Sequence, residues 1–264
     1  MASVQERARP KPPWIASLVT IGAFGLLYVP LLALVAYSFL APTNGPGSEL
    51  GFSLTWYERV FRNQLILDAF NVSVVVAFWA TLIATVLGTL AALAIERTRF
   101  PGRKVFDAIT HVPLIMPEIV MGLSLLVWFV LLRITLGSFS IILAHVTFSV
   151  SYVIITVKAR LEGFDESLEE AARDLGASPW NVFWRVTFPL IWPGILSGAL
   201  MAFTLSFDDF LITFFTAGVG SDTLPLKIYA MIKFGMSPEI NALSTLILVA
   251  TFAMVSIFFR PRRT

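Results

Sequence analysis

Three carboxylates interrupt stretches that otherwise hold almost only apolar residues: Glu118, and the adjacent pair Asp208 and Asp209. An acid held at the middle of a bilayer costs about 2.5–3.5 kcal/mol even on the lenient insertion scale, so such groups must face protein or water. Two acids sharing a proton would be the signature of an intramembrane aspartyl enzyme. That chemistry needs them on separate elements, whereas here the pair is consecutive and the third acid is a distant Glu. Successive helical residues point about 100° apart, so Asp208 and Asp209 cannot both line one passage unless the helix is locally broken. Ser206, Asp209 and Thr213 share a face, which makes Asp209 the first candidate to line a path and leaves Asp208, near Thr204, to bond a neighbouring helix. Glu118 and Asp209 would then offer negative partners to a cation that sheds its water in transit, with Phe207 adding an aromatic face. An anionic cargo would call for Arg or Lys at depth, and the apolar stretches hold essentially none away from their ends. Metal and thiol chemistry find little support. The chain has no Cys, and its two histidines, His111 and His145, show no ligand spacing and suit packing or interfacial hydrogen bonding.

The elements that must position these acids follow from composition. With 57% hydrophobic and only 14% charged residues, 264 residues cannot clothe a water-facing surface, and the chain is built for lipid. A spanning helix needs about 20 apolar residues. That criterion predicts an all-α, polytopic bundle of six spans, at Trp14 to Leu40, Ala69 to Ile95, Ala108 to Leu132, Phe139 to Val157, Leu190 to Ala217 and Asn241 to Phe259. Glu118 falls about ten residues into the third and the Asp pair in the outward half of the fifth. The first span begins like a secretory signal after Arg7, Arg9 and Lys11, but its apolar run exceeds the usual h-region of about 7–15 residues and it reads as a retained anchor. Of the 19 Lys and Arg, all but Arg59, Arg62, Arg133, Lys227 and Lys233 fall in the two tails or in the gaps after the second and fourth spans. The positive-inside rule therefore places both termini in the cytoplasm, with tails at 1–13 and 260–264 flanking a membrane domain at 14–259. Basic residues so distributed serve topology, and nucleic-acid binding is not expected. Trp56, Tyr57, Trp79, Trp128 and Tyr152 are expected as interfacial anchors or packing groups.

The gap after the fourth span, residues 158–189, is written in capping chemistry. Ser167 with Glu170 three residues on forms a capping-box pattern, Ala171 and Ala172 favour helix, and Gly176 can take the left-handed conformation that ends one. Ser178 then caps a second helix with Pro179 at its first position, and Trp180, Phe183 and Trp184 give it an apolar stripe. A helical elbow with small residues and acidic neighbours on the cytosolic face has the character of a docking knob.

Glu170-Ala171-Ala172, Gly176 and Val186-Thr187-Phe188-Pro189 resemble the EAA motif of binding-protein-dependent ABC importer permeases, with Val and Phe in place of the family's Ile and Leu. Across most of the chain, segments such as Met116-Pro117-Glu118, Ser206-Phe207-Asp208-Asp209 and Leu224-Pro225-Leu226-Lys227 resemble the C-type permeases of polyamine importers. The resemblance implies a type I importer permease in a bacterial inner membrane, a transport subunit and not an enzyme. It implies that Glu170, Ala171, Ala172, Asp174, Gly176, Ala177, Ser178 and Pro179 seat the loop in a groove of an ATPase subunit. The partners implied are two copies of that ATPase, a second permease expected as a distinct paralogue, an external polyamine-binding protein and membrane lipid. No cofactor is expected on this chain, which lacks a P-loop; ATP and Mg would lie on the ATPase. Putrescine and spermidine stay undistinguished. Iron, thiamine or an organophosphonate is the alternative cargo, and an aspartyl enzyme the remote one.

Overall fold

The computed structural model describes residues 14–42, 49–235 and 238–258; the two tails assigned to the cytoplasm lie outside the described residues. In chain order it contains α1 (Trp14–Ser38), strands β1 (Leu40–Pro42) and β2 (Leu50–Phe52), α2 (Thr55–Arg62), α3 (Gln64–Arg97), α4 (Arg103–Thr110), α5 (Val112–Ile115) and α6 (Glu118–Leu131). Then follow α7 (Ser138–Glu162), α8 (Ser167–Asp174), α9 (Pro179–Val182), a π-helical turn (Phe183–Thr187), α10 (Phe188–Asp208), α11 (Leu211–Thr216), α12 (Leu224–Phe234) and α13 (Glu239–Phe258). The expected all-α class holds.

Among the described residues, four helices are long and apolar enough to cross a membrane: Ser17–Ser38, Gln64–Arg97, Ser138–Glu162 and Pro179–Asp208. The expected third span is not one rod. Arg103–Ile115 and Glu118–Leu131 meet at 110°, and Glu239–Ala253 is a shorter apolar helix. The bend has a local cause. A residue before proline is driven out of the helical region, and Met116, ahead of Pro117, is extended at φ −77°, ψ 132°. The expected fifth span also departs from a single helix, since α10 stops at Asp208 and the short α11 resumes at Leu211.

The chain divides into two compact units, residues 1–63 with 231–264, and residues 64–230. In the first, α1 packs against α13 and α13 against α2. α1 leaves Leu18, Phe24, Leu26 and Leu32 exposed, as a lipid-facing helix does. β1 and β2 pair antiparallel, Leu40 opposite Phe52. Phe39 stacks on Phe52 with ring centroids 5.6 Å apart, and Trp56 Nε1 donates to Leu40 O at 2.7 Å. Trp56 is thus a buried packing group of this hairpin.

In the second unit, α3, α7 and α10 pack around Ala92, Ile95, Val153, Ile154, Val157 and Ile191. Without a solvent penalty to drive helices together in lipid, close approach and dispersion must hold them. Glycines provide it: a Cβ added at Gly88 would lie 2.7 Å from the Val153 side chain, and one at Gly198 3.2 Å from Val153 Cα. A second cluster joins Met121 and Phe129 of α6 to Ala144 and Phe148 of α7 and Ile212 of α11.

Candidate functional site

The elbow at 158–189 forms largely as its capping residues dictate. α8 ends in a Schellman motif: Gly176 takes φ +84°, its N–H donates to Arg173 O at 2.8 Å, and Ala177 N donates to Ala172 O at 3.1 Å. Ser178 Oγ accepts the Asn181 N–H at 3.4 Å, with Pro179 opening α9. The predicted box at Ser167 does not form. Asp165 Oδ1 accepts the Ser167 N–H at 3.0 Å instead, and the bonds to Ser167 hold the Asp165 carboxyl below its ordinary value. Nor is the second helix separate from the fifth span. Pro189 has no N–H to give to the carbonyl four residues back, so the ladder steps to a π turn, with Phe188 N donating to Phe183 O, and α9 runs on into α10.

On this elbow Glu170, Ala171, Asp174, Gly176, Ser178 and Pro179 are exposed, while Ala172 and Ala177 are half-buried. Leu175 and Trp180 stand out at 89% and 70% exposure. A polar elbow with such apolar side chains bare is a surface suited to being covered.

Glu169, unremarked in the sequence beside Glu170, is the elbow's anchor. It is 6% exposed, and both its oxygens are engaged: Oε1 accepts from Thr187 Oγ1 at 2.6 Å, Oε2 from Arg97 Nη1 at 2.8 Å and Arg173 Nη2 at 3.3 Å. The Arg97 guanidinium also lies 4.7 Å over the Phe164 ring. Burial alone would raise the Glu169 pKa, but the bonds from Thr187 and Arg97 and the charges of Arg97 and Arg173 outweigh it and bring it below 4.5. One carboxylate thereby ties α8 to the end of α3 and to the root of α10. The sequence signal for it was a second Glu on the inward side of an amphipathic turn.

The acids within the apolar helices separate into two environments. Glu118 is exposed at the first residue of α6, where the positive end of the helix dipole suits it. Asp208 is exposed at the last residue of α10, where the dipole does not. Neither forms an ion pair among the described residues. Asp209, favoured from the sequence as path-lining, instead has a side chain only 6% exposed that caps α11: Oδ2 accepts from Thr213 N at 2.7 Å and Thr213 Oγ1 at 2.8 Å. The reversal follows from the break, because Asp209 at φ −64°, ψ 129° is already extended and no longer obeys helical spacing. Phe207 is half-buried against Phe203 and Phe70, at centroid separations of 6.0 and 6.2 Å.

His145, fully buried on α7, reaches the same break. Its Nδ1 lies 2.7 Å from Ser206 Oγ, and its Nε2 lies 3.0 Å from Thr213 Oγ1 and 3.3 Å from Asp209 Oδ2. Its hydrogen bonds are made inside the protein and not at an interface, and nothing in the sequence indicates that all its partners surround one helix interruption.

Comparison with known proteins accords with this geometry. Residues 84–260 match the family described as binding-protein-dependent transport system inner membrane component. The chain is 42% identical over 232 residues to the spermidine/putrescine transport system permease protein PotC of Haemophilus influenzae, covering 88% of this chain and 90% of that one. It is 42% identical over 252 residues to the putrescine transport system permease protein PotI of Escherichia coli K12, covering 91% and 87%. Among solved structures, a bacterial ABC transporter that imports alginate superposes with a TM-score of 0.70 at 19% identity over 93% of this chain and 96% of that one. The chain therefore belongs to the family of inner membrane components of binding-protein-dependent transport systems, whose members are permeases and not enzymes.

Proposed function

We propose that this chain is one of two permease subunits of an inner-membrane importer for polyamines. Family membership carries the need for an ATPase, a substrate-binding protein and a second permease. In our reading the ATPase is present twice and holds ATP and Mg, the second permease is a distinct paralogue, and the binding protein delivers putrescine or spermidine. Six crossings with both termini in the cytoplasm put the elbow at 158–189 on the ATPase side, and Glu170 through Pro179 seat in its groove. ATP-driven closure of the ATPases then moves the elbow, and Glu169 passes that movement to α3 and α10.

The observation that carries the choice of cargo is Asp208. An exposed carboxylate at the negative end of an apolar helix, with no cation beside it among the described residues, is a locus that favours a positive ligand. Glu118 supplies a second, weaker one, and Phe207 an aromatic wall. Successive contacts of this kind suit a flexible chain bearing several ammonium groups. The names of the relatives support the same cargo. Uptake by the reconstituted transporter, with labelled putrescine, spermidine, thiamine and an organophosphonate in parallel, tests it. Polyamine uptake that falls on Asp208→Asn is expected; a transporter that moves only the unrelated solutes would overturn the reading.

A further inference from the structure

The break between α10 and α11 is held by a side chain from a third helix. His145 touches the last turn of α10 through Ser206, the first turn of α11 through Thr213, and the cap between them through Asp209. Ser206 and Thr213 are buried at 3% and 0% exposure, so removing the imidazole takes from Ser206 its side-chain partner, while Thr213 and Asp209 keep their bond to each other but lose the tie to α7. α11 in turn is pressed on α6, where a Cβ at Gly122 would lie 2.8 Å from Phe215 and 3.3 Å from Ile212 Cα. The backbone of Asp208, two residues beyond Ser206 and adjacent to the Asp209 cap, is placed by this joint. α6 also begins at Glu118, one turn before Gly122.

We propose that His145 is a positioning residue for transport: it fixes the α10–α11 break and thereby the place at which Asp208 is presented to the cation. This rests on the polyamine reading above. His145 meets no cargo itself, because it is enclosed by protein. Its contribution is to keep a helix end, a cap and an exposed acid in one arrangement, so that the carboxylate need not reorganise as each ammonium group arrives.

The test uses the complete transporter in proteoliposomes, supplied with saturating loaded binding protein, and reads the maximal uptake rates of spermidine and putrescine and their ratio. His145→Gln is expected to slow uptake about tenfold and to shift the triamine-to-diamine ratio in the same direction as Asp208→Asn, and the double variant to be no slower than Asp208→Asn alone. Ser206→Ala, which removes only the Nδ1 contact, is expected to show a smaller effect of the same sign and serves if His145→Gln fails to assemble. Multiplying effects in the double variant, or an unchanged ratio in both His145→Gln and Ser206→Ala, would overturn the proposal while leaving the cargo reading intact. An Asp208→Asn transporter with unaltered uptake would remove the cargo path and the positioning role together.

Discussion

Glu169 Oε1 and Thr187 Oγ1 lie 2.6 Å apart, joining the first helix of the elbow to the π turn at the root of α10. The other oxygen of the same carboxylate holds Arg97 at the end of α3. Glu169→Leu leaves Thr187 and Arg97 without their acceptor, which costs about 1–3 kcal/mol. Glu169→Gln keeps the shape and loses the charge. Both are expected to lower the number of polyamines moved per ATP hydrolysed, Leu more than Gln, with the ATPase still copurifying. A transporter whose ratio of transport to hydrolysis is unchanged in both variants would show that the tie carries no movement.

The same carboxylate gives a pH dependence of defined sign. Its pKa in the folded chain is below 4.5, so the unfolded chain binds the proton more readily. Its contribution to stability is complete above about pH 4.5 and is lost as pH falls through the lower folded value. Thermal melts of the wild-type transporter and of Glu169→Gln are expected to differ by a constant amount near neutral pH and to converge in acid. A difference that widens in acid would reverse the sign and refute the linkage.

The elbow is legible in the sequence because its signals are local. Gly176, Ser178 and Pro179 each act within a few residues, and each does what its chemistry requires. The bend in the third apolar run is not legible from a count of apolar residues, which is blind to Pro117 and its effect on Met116, where one long run becomes two helices at 110°. The strands at Leu40–Pro42 and Leu50–Phe52 are three residues each, too short to show a period, and Trp56 is buried by a partner distant in sequence. Helical spacing distinguishes Asp208 from Asp209 only in a continuous helix, and it fails at the break. The partners of His145 on α10 and α11 are 61 and 68 residues away, so no local pattern marks it.

Gly176 sits at φ +84° with open space around it, so its requirement is conformational and not steric crowding. A β-branched residue there pays about 1–2 kcal/mol for the left-handed backbone and is expected to unwind the end of α8. Gly176→Val should uncouple ATP hydrolysis from uptake while membrane insertion persists. Glu170→Lys, on an exposed residue with no structural tie to lose, should do the same by reversing charge at the docking face. Normal coupling in both would count against this elbow as the contact with the ATPase.

Val153 is the close-contact point of the three-helix core, flanked by Gly88 of α3 and Gly198 of α10. A methyl at Gly88 would meet the Val153 side chain at 2.7 Å, a distance that real Cβ atoms do not show, so α3 or α7 must move outward. Overpacking of this kind costs about 1–3 kcal/mol. Gly22 on α1 provides the control, since nothing lies within 4 Å of an added Cβ there. A helical Gly→Ala change in open space removes chain entropy from the unfolded state and is neutral or stabilising by about 0.5–1 kcal/mol. Gly88→Ala is therefore expected to lower the melting temperature of the detergent-solubilised transporter and Gly22→Ala to leave it unchanged or raise it. Equal melting temperatures for the two variants would mean that α3 and α7 do not depend on close approach, and that another contact holds the frame on which the acids and the elbow are mounted.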